Sequence, residues 1–246
     1  MPGMTASIPI AENNVRELTR CELCPTQKAC LAQQATPSQQ QCLADNLRVV
    51  SPLHAGVYLY RAGTQVQGQY HIRSGMVKTF VTTTAGEECV TGFYIAGETL
   101  SSGRCSGVHS ESAVALETAS LCRLDTEAVE HLGRQGLSVA MLENQAEHAR
   151  YEVMHQVNLR QTSAEKRVAG FCMQYGLRRA RLGLDETVLP TPMSRTDLAS
   201  YLGMKLESLS RVISRLQSRG LIAARRDQIT VLQAVELAEL AGHLRY

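Results

Sequence analysis

Between Leu47 and Leu124 the apolar residues fall in short bursts separated by glycines and polar turns. VYLYRAG begins at Val57, QYHIRSGMVKTFVTTTAGEE at Gln69, CVTGFYIAGE at Cys89 and AVALETASLCRL at Ala113. β-branched and aromatic residues at this spacing predict several short strands closing into a sandwich or barrel. Thr84-Ala85-Gly86-Glu87 reads as a hairpin turn in which Gly86 supplies the positive φ.

The period then changes. From about Ser138 to Leu159, Leu142, Ala146, Ala149, Val153 and Gln156–Val157 recur three or four residues apart, which predicts one long helix with a narrow apolar stripe. Such a stripe suits a coiled-coil seam between two copies, or a helix packed on its own domain. Glu152 borders the stripe, and in a parallel dimer it would face its own copy and repel it. From Ser163 the pattern is helical again, with Val168, Phe171, Cys172 and Tyr175 inward. Thr196 offers an N-cap for a helix over 197–202. Gly203 permits a tight turn, and a second helix from Leu206 to Arg219 buries Leu209, Val212, Ile213 and Leu216. Gly220 ends it, and LIAARRDQITVL reads as two short strands around Arg226-Asp227. Together these predict a winged helix-turn-helix.

A chain of 246 residues holds about two domains. Its charge is divided unevenly. Residues 164–246 contain 13 Lys/Arg and 8 Asp/Glu, a net +5, whereas the preceding 163 contain 12 and 15, a net −3. A basic C-terminal part suits a phosphate-rich partner. No apolar run approaches the ~20 residues that span a bilayer, and the N-terminus lacks the basic-then-apolar pattern of a secretory leader. The expectation is a cytoplasmic chain with no membrane contact, whose eight cysteines point to metal or redox chemistry rather than disulfides.

Cys21, Cys24 and Cys30 stand within ten residues, in CELCPTQKAC. Three thiols so close can surround one metal centre, with a fourth ligand drawn from elsewhere. By ligand type alone, thiolates suit zinc and iron–sulfur equally. Near the other end, Glu207 and Arg211 lie four apart on the second helix of the helix-turn-helix. Arg can bond guanine O6 and N7, and a carboxylate can accept from cytosine N4, so the pair can read adjacent bases of double-stranded DNA from the first turns of a recognition helix. His148 and His155, seven apart on the long helix, read as exposed histidines. No Ser-His-Asp order, phosphate loop or paired carboxylates in an apolar pocket favour catalysis, so an enzyme is not expected.

The run C-x2-C-x5-C at Cys21, Cys24 and Cys30 is joined by IRSGMVK (Ile72–Lys78), GFYIAGE (Gly92–Glu98) and ALETASLC ending at Cys122. RTDLASYLGMKLESLSR (Arg195–Arg211) follows, with E-x-x-S-R at Glu207, Ser210 and Arg211. In these motifs the chain resembles the Crp/FNR family of transcription regulators, in its FNR-type, oxygen-sensing iron–sulfur branch, over nearly its whole length. The resemblance implies an α+β architecture. It comprises a cysteine-rich cluster-binding arm (1–46), a jelly-roll β-roll sensor of the cyclic-nucleotide-binding type (47–137), a dimerisation helix (138–162) and a winged helix-turn-helix (163–246). It implies that Cys122 is the fourth ligand of a 4Fe–4S cluster held with Cys21, Cys24 and Cys30. It further implies a homodimer, and the stripe Leu142, Ala146, Ala149 and Val153, with Glu152 bordering it, is the expected dimerisation seam. That dimer reads palindromic TTGAT-N4-ATCAA-type promoter sites through Glu207, Ser210 and Arg211, and activates transcription by touching RNA polymerase from the Gly86 turn and the Ser74 loop. The alternative is a zinc-stabilised regulator of the same fold. The nucleotide-binding branch carries an Arg-Ser or Arg-Thr pair where this chain has Glu111-Ser112, and a carboxylate there would repel the phosphate of cyclic AMP. Cys42, Cys89, Cys105 and Cys172 have no cluster role in the family pattern, and Cys172 reads as a core residue.

Overall fold

Alternation along the strands sorts the first half of the chain into two four-stranded antiparallel sheets. The computed structural model describes residues 21, 24–33, 35–100 and 107–242; Cys105, His243 and the first twenty residues of the arm lie outside them. One sheet runs β1 (Leu47–Leu53), β8 (Ala119–Asp125), β3 (Gly68–Ser74), β6 (Thr99–Leu100). The other runs β2 (Tyr58–Tyr60), β7 (Ser112–Ala115), β4 (Val77–Thr82), β5 (Glu88–Tyr94). Val50, Leu53, Ile72 and Leu121 from the first meet Leu59, Val77 and Ala113 from the second in one core. The hairpin between β4 and β5 turns at Gly86, whose φ is +82° and whose N–H donates to Thr83 O at 2.9 Å.

Successive strand residues face opposite ways, so while Leu121 enters this core, Leu124 turns outward. There it joins a second apolar cluster with Ala32, Leu43, Val129, Leu132 and Leu137. The covering layer is the described part of the arm, α1 (Pro37–Asn46) and α2 (Thr126–Leu132). The helix α1, within what the sequence shows only as a polar arm, forms because Thr36 and Gln39 make a reciprocal capping box and Pro37 takes the first helical position.

The long helix α3 occupies Ser138–Leu159, as its period predicts. Beyond it lie α4 (Ala164–Ala180), β9 (Val188–Pro190), α5 (Arg195–Tyr201) and α6 (Leu206–Ser218). β10 (Ile222–Ala224), β11 (Gln228–Val231) and α7 (Ala234–Ala241) complete the chain as described. The two wing strands gain a third neighbour, β9, in the order β10-β11-β9. One expectation is corrected here. Ser194, not Thr196, is the N-cap of α5, because Asp197 three residues on closes a capping box with it. Gly203 makes the turn to α6 at φ +59°. Among the described residues no helix is long and apolar enough to cross a membrane.

The C-terminal part does not hang free. Met76, Val90, Phe93 and Ile95 of the two-sheet half share one core with its Val168, Phe171, Leu198, Tyr201 and Leu209. Lys78 Nζ, nearly buried, sits 2.8 Å from Asp197 and 2.9 Å from Glu88. Burial works against both charges, yet the mutual hydrogen bonds hold Lys78 above its ordinary range and Asp197 below its own. Val90 N–H donates to Ser200 Oγ at 3.1 Å. The expectation of exposed histidines on α3 is also corrected. His155 is buried and stacks on Tyr201 with ring centroids 3.8 Å apart, while His148 is half-buried against Tyr94.

Burial, aided by Arg178, pulls the His155 pKa from 6.5 down to about 4. A depressed pKa in the folded state means that the unfolded chain binds the proton first. This stability is therefore complete above pH 6.5 and lost as pH falls toward 4. Urea unfolding of wild type at pH 8 and pH 5 is expected to differ by up to about 2 kcal/mol from this residue. His155→Phe, which keeps the ring stack, is expected to flatten that difference. An unchanged pH dependence in the variant would mean that His155 is not held neutral.

Candidate metal centre and nucleic-acid interface

One row of side chains crosses the outer face of the first sheet. Cys122 pairs with Val49 on β1 and with His71 on β3, and His71 pairs with Thr99 on β6. Paired residues on neighbouring strands point the same way, so Cys122, His71 and Thr99 form a floor. The arm lies over it. Cys24 N–H donates to Cys21 O at 3.2 Å, Gln27 N–H to Cys24 O at 3.0 Å and Cys30 N–H to Gln27 O at 3.1 Å. These successive tight turns wind the three arm cysteines around one side of a pocket. Thr26, buried, places its Oγ1 3.2 Å from Cys24 Sγ and 3.4 Å from His71 Nε2. His71 Nδ1 in turn lies 3.2 Å from Thr99 Oγ1.

The pocket brings together all four sequence-expected cysteines. Cys21, Cys24, Cys30 and Cys122 line it together with Leu31, Leu43, Leu124, Gln69, His71 and Arg73. Among the described residues no group of three or more His, Cys, Asp or Glu is gathered tightly enough for a single metal ion. The donor set is nevertheless that of a thiolate-bound centre: four thiols, largely apolar walls that limit water, and one amide nitrogen, Gln69 Nε2, buried without a hydrogen-bond partner. Soft sulfur ligands and a spare N–H donor beside them fit an iron–sulfur group. Sequence reading missed Gln69, His71 and Thr26, whose places in this pocket follow only from strand register and the path of the arm.

Burial pushes the Cys30 thiol up to about 11, with Cys21 and Cys24 adding to the rise. It pushes Cys122 up to about 12 against the opposing charge of Arg73. Without a metal these thiols stay protonated at neutral pH, and metal binding must release their protons. Cys89 is exposed, Cys42 half-buried and Cys172 fully buried, the last as its helix pattern indicated. Among the described cysteines, alkylation of the metal-free protein by iodoacetamide at a pH of about 7.5, below the range where free thiols ionise fully, is expected to label Cys89 first and Cys30, Cys122 and Cys172 last when mapped by mass spectrometry. Equal rates at Cys122 and Cys89 would contradict this ranking.

The second surface lies on α6. Leu209, Val212, Ile213 and Leu216 are buried, while Glu207, Ser210 and Arg211 are exposed together on the opposite face. Arg215 and Arg219, further along, are turned toward Glu165 at 2.6 and 3.1 Å. They are thereby drawn back onto α4, leaving the first turns of α6 to project.

Two family models match the chain: a cyclic nucleotide-binding domain over residues 50–135 and a Crp-like helix-turn-helix domain over residues 166–240. The chain is 32% identical over 225 residues to the transcriptional activator protein anr of Pseudomonas aeruginosa, covering 90% of this chain and 92% of that protein. It belongs to the Crp/FNR family. It is also 29% identical over 228 residues to the fumarate and nitrate reduction regulatory protein of Escherichia coli K12, covering 92% and 91%. The structure of FixK2 from Bradyrhizobium japonicum shares the fold, with a TM-score of 0.68 at 22% identity over 79% of this chain and 96% of that one. Members of the Crp/FNR family are transcription regulators and not enzymes, and this chain carries their DNA-binding module. As a Crp/FNR protein it also has an open apolar face on α3. Val139, Leu142 and Val153 are 65, 64 and 60% exposed, and Ala146 and Ala149 lie exposed between them. Glu152, beside this stripe, is paired with His148 at 3.1 Å, whose hydrogen bond holds its carboxyl below the usual range.

Proposed function

We propose that this Crp/FNR regulator is oxygen-responsive and that Cys21, Cys24, Cys30 and Cys122 would hold a 4Fe–4S cluster. The observation that carries the reading is the single pocket lined by a strand cysteine and by three cysteines from the distant N-terminal arm. The similarity to anr and to the fumarate and nitrate reduction regulator favours iron–sulfur over zinc. When bound, the cluster supplies reactivity toward oxygen. The chain's own residues do the rest. Four thiolates tie the arm to β8, the arm and α1 are held over the sheet beside the start of α3, and the exposed stripe Val139, Leu142, Ala146, Ala149 and Val153 meets its copy. A stripe of this kind is an interaction surface. Two-fold pairing sets two α6 helices about one DNA turn apart, matching a TTGAT-N4-ATCAA-type palindrome.

In this reading Arg211 bonds a guanine and Glu207 accepts from the neighbouring cytosine, with Ser210 between them on the same face. Exposed Gly86 and Ser74 are the surfaces offered to RNA polymerase. Cyclic AMP is not a ligand. Glu111 accepts a hydrogen bond from Thr91 Oγ1 within the sensor, and its carboxylate excludes a phosphate from that position. The cellular setting consistent with reduced thiols is the cytoplasm.

Cys122→Ala is expected to abolish anaerobic binding to the palindrome in a gel-shift or anisotropy assay, and normal binding by that variant would remove Cys122 from the ligand set. Arg211→Ala is expected to weaken binding by about 1–3 kcal/mol and to relax preference at one G·C position. Retained sequence preference in Arg211→Ala would overturn the assignment of base reading.

A further inference from the structure

The β5–β6 turn, Ile95–Glu98, stands where three parts of the chain converge. Gly97, buried at φ +88°, is the point of closest approach. A methyl group placed on it would lie 2.8 Å from Leu182 Cδ2, beyond the end of α4, and 3.0 Å from Ala29 Cβ in the arm. Ala29 belongs to the short turn Gln27–Ala29 between Cys24 and Cys30. The sensor turn thus has the cysteine loop on one side and the root of the DNA reader on the other.

Both contacts are anchored. Toward the reader, Arg178 of α4 clamps Glu98 with two hydrogen bonds of 2.6 Å, Nε to Oε1 and Nη2 to Oε2, and also donates to Phe93 O. The side chains of Arg178 and Glu98 are only 11 and 13% exposed. A buried bidentate pair of this kind is geometrically demanding, so a shift of the turn must move α4 or break the pair. Toward the pocket, Gly97 N–H donates to Ile72 O at 2.8 Å and Ile72 N–H to Glu98 O at 2.9 Å. Ile72 follows His71, which hydrogen-bonds Thr26 of the arm and Thr99 beside Glu98.

We infer that the Ile95–Glu98 turn, through Gly97 and the Glu98–Arg178 clamp, transmits the seating of the cysteine arm to the DNA reader within a single chain. Glu98 and Arg178 are positioning residues in this inference; neither belongs to α6 and neither lines the thiol pocket. The route needs no dimer, although the end of α4 also leans on α3, where Arg181 pairs with Glu147 at 3.2 Å and donates to Tyr151 OH at 2.8 Å. It rests on the proposed function only in taking the arm as the part whose order changes with the signal. An arm that leaves the sheet withdraws Ala29 from Gly97 and Thr26 from His71. The turn then loses one of its two supports, and α4 loosens even in a monomer.

The test is backbone hydrogen exchange of the full chain, read by mass spectrometry at concentrations where sedimentation shows monomer. Three proteins are compared: wild type, Ala29→Lys, which pushes the half-buried arm contact off Gly97, and Glu98→Gln, which keeps the shape of the clamp but removes its charge. Both variants are expected to speed exchange in 174–182 by about tenfold, a shift of about 1.4 kcal/mol in the opening equilibrium, while 206–216 of α6 stays unchanged. If Ala29→Lys alters exchange only within 24–33, arm and reader are not coupled and the inference is overturned. It is overturned equally if Glu98→Gln leaves 174–182 as in wild type. Iron and sulfide assays on the same samples report on the cluster separately, so a cluster-free protein would sink the proposed function while the exchange pattern still decides this one.

Discussion

The structure turns on one contact: a cysteine on the outer face of a central strand is covered by chain from far away in sequence. Cys122 cannot point into the sandwich, because Leu121 does and the strand alternates. Left alone on that face, it would lie in a half-apolar groove beside Leu124. The arm supplies the cover. Its tight turns bring Cys21, Cys24 and Cys30 to the same groove, and α1, capped by Thr36 and Gln39, seals the edge with Leu43. The apolar content of this cover is modest, a few alanines and leucines. A metal centre tying four thiolates together would therefore contribute a large share of the energy that holds the arm down.

A second consequence concerns the reader. A sensor and a DNA-binding module could be joined by a linker alone, yet here the two share one core through Val90, Phe93 and Tyr201. They are pinned by two sets of buried charges, Lys78 with Asp197 and Arg178 with Glu98. Asp197 also closes the capping box of α5. The residue that starts the helix-turn-helix is thus the residue that docks it on the sensor, and α6 inherits its orientation from β4 and β5. Buried ion pairs contribute little net stability over apolar residues, but they tolerate only one geometry, and orientation is what a reader of two half-sites needs.

Much of this is legible in the chain. The alternating bursts, the span of α3 and the buried positions of α6 follow from period alone, because apolar faces must find a core. Strong local rules can still be misapplied. Thr196 is a good cap, but Ser194 has an acidic residue three positions on, and that reciprocal bond decides the start of α5. The same rule, Thr36 with Gln39, marks α1, although its low apolar content hides it. His155 cannot be placed from sequence, since its burial depends on Tyr201 coming across from the reader. Cys122 is assigned by family resemblance rather than by spacing, since no local pattern links it to so distant a motif. Gln69, His71 and the close approach at Gly97 depend on strand register and on where the arm lies, which no short-range pattern encodes.

Whether the four thiols hold an oxygen-labile cluster is decided most directly by anaerobic purification of the wild-type protein. Iron and sulfide analysis, a visible spectrum and sedimentation follow, before and after brief exposure to air. A brown protein is expected, with about four irons per chain, that bleaches in air as the dimer gives way to monomer. A colourless protein that carries zinc, and whose state of association is the same with and without air, would contradict the oxygen-sensing reading.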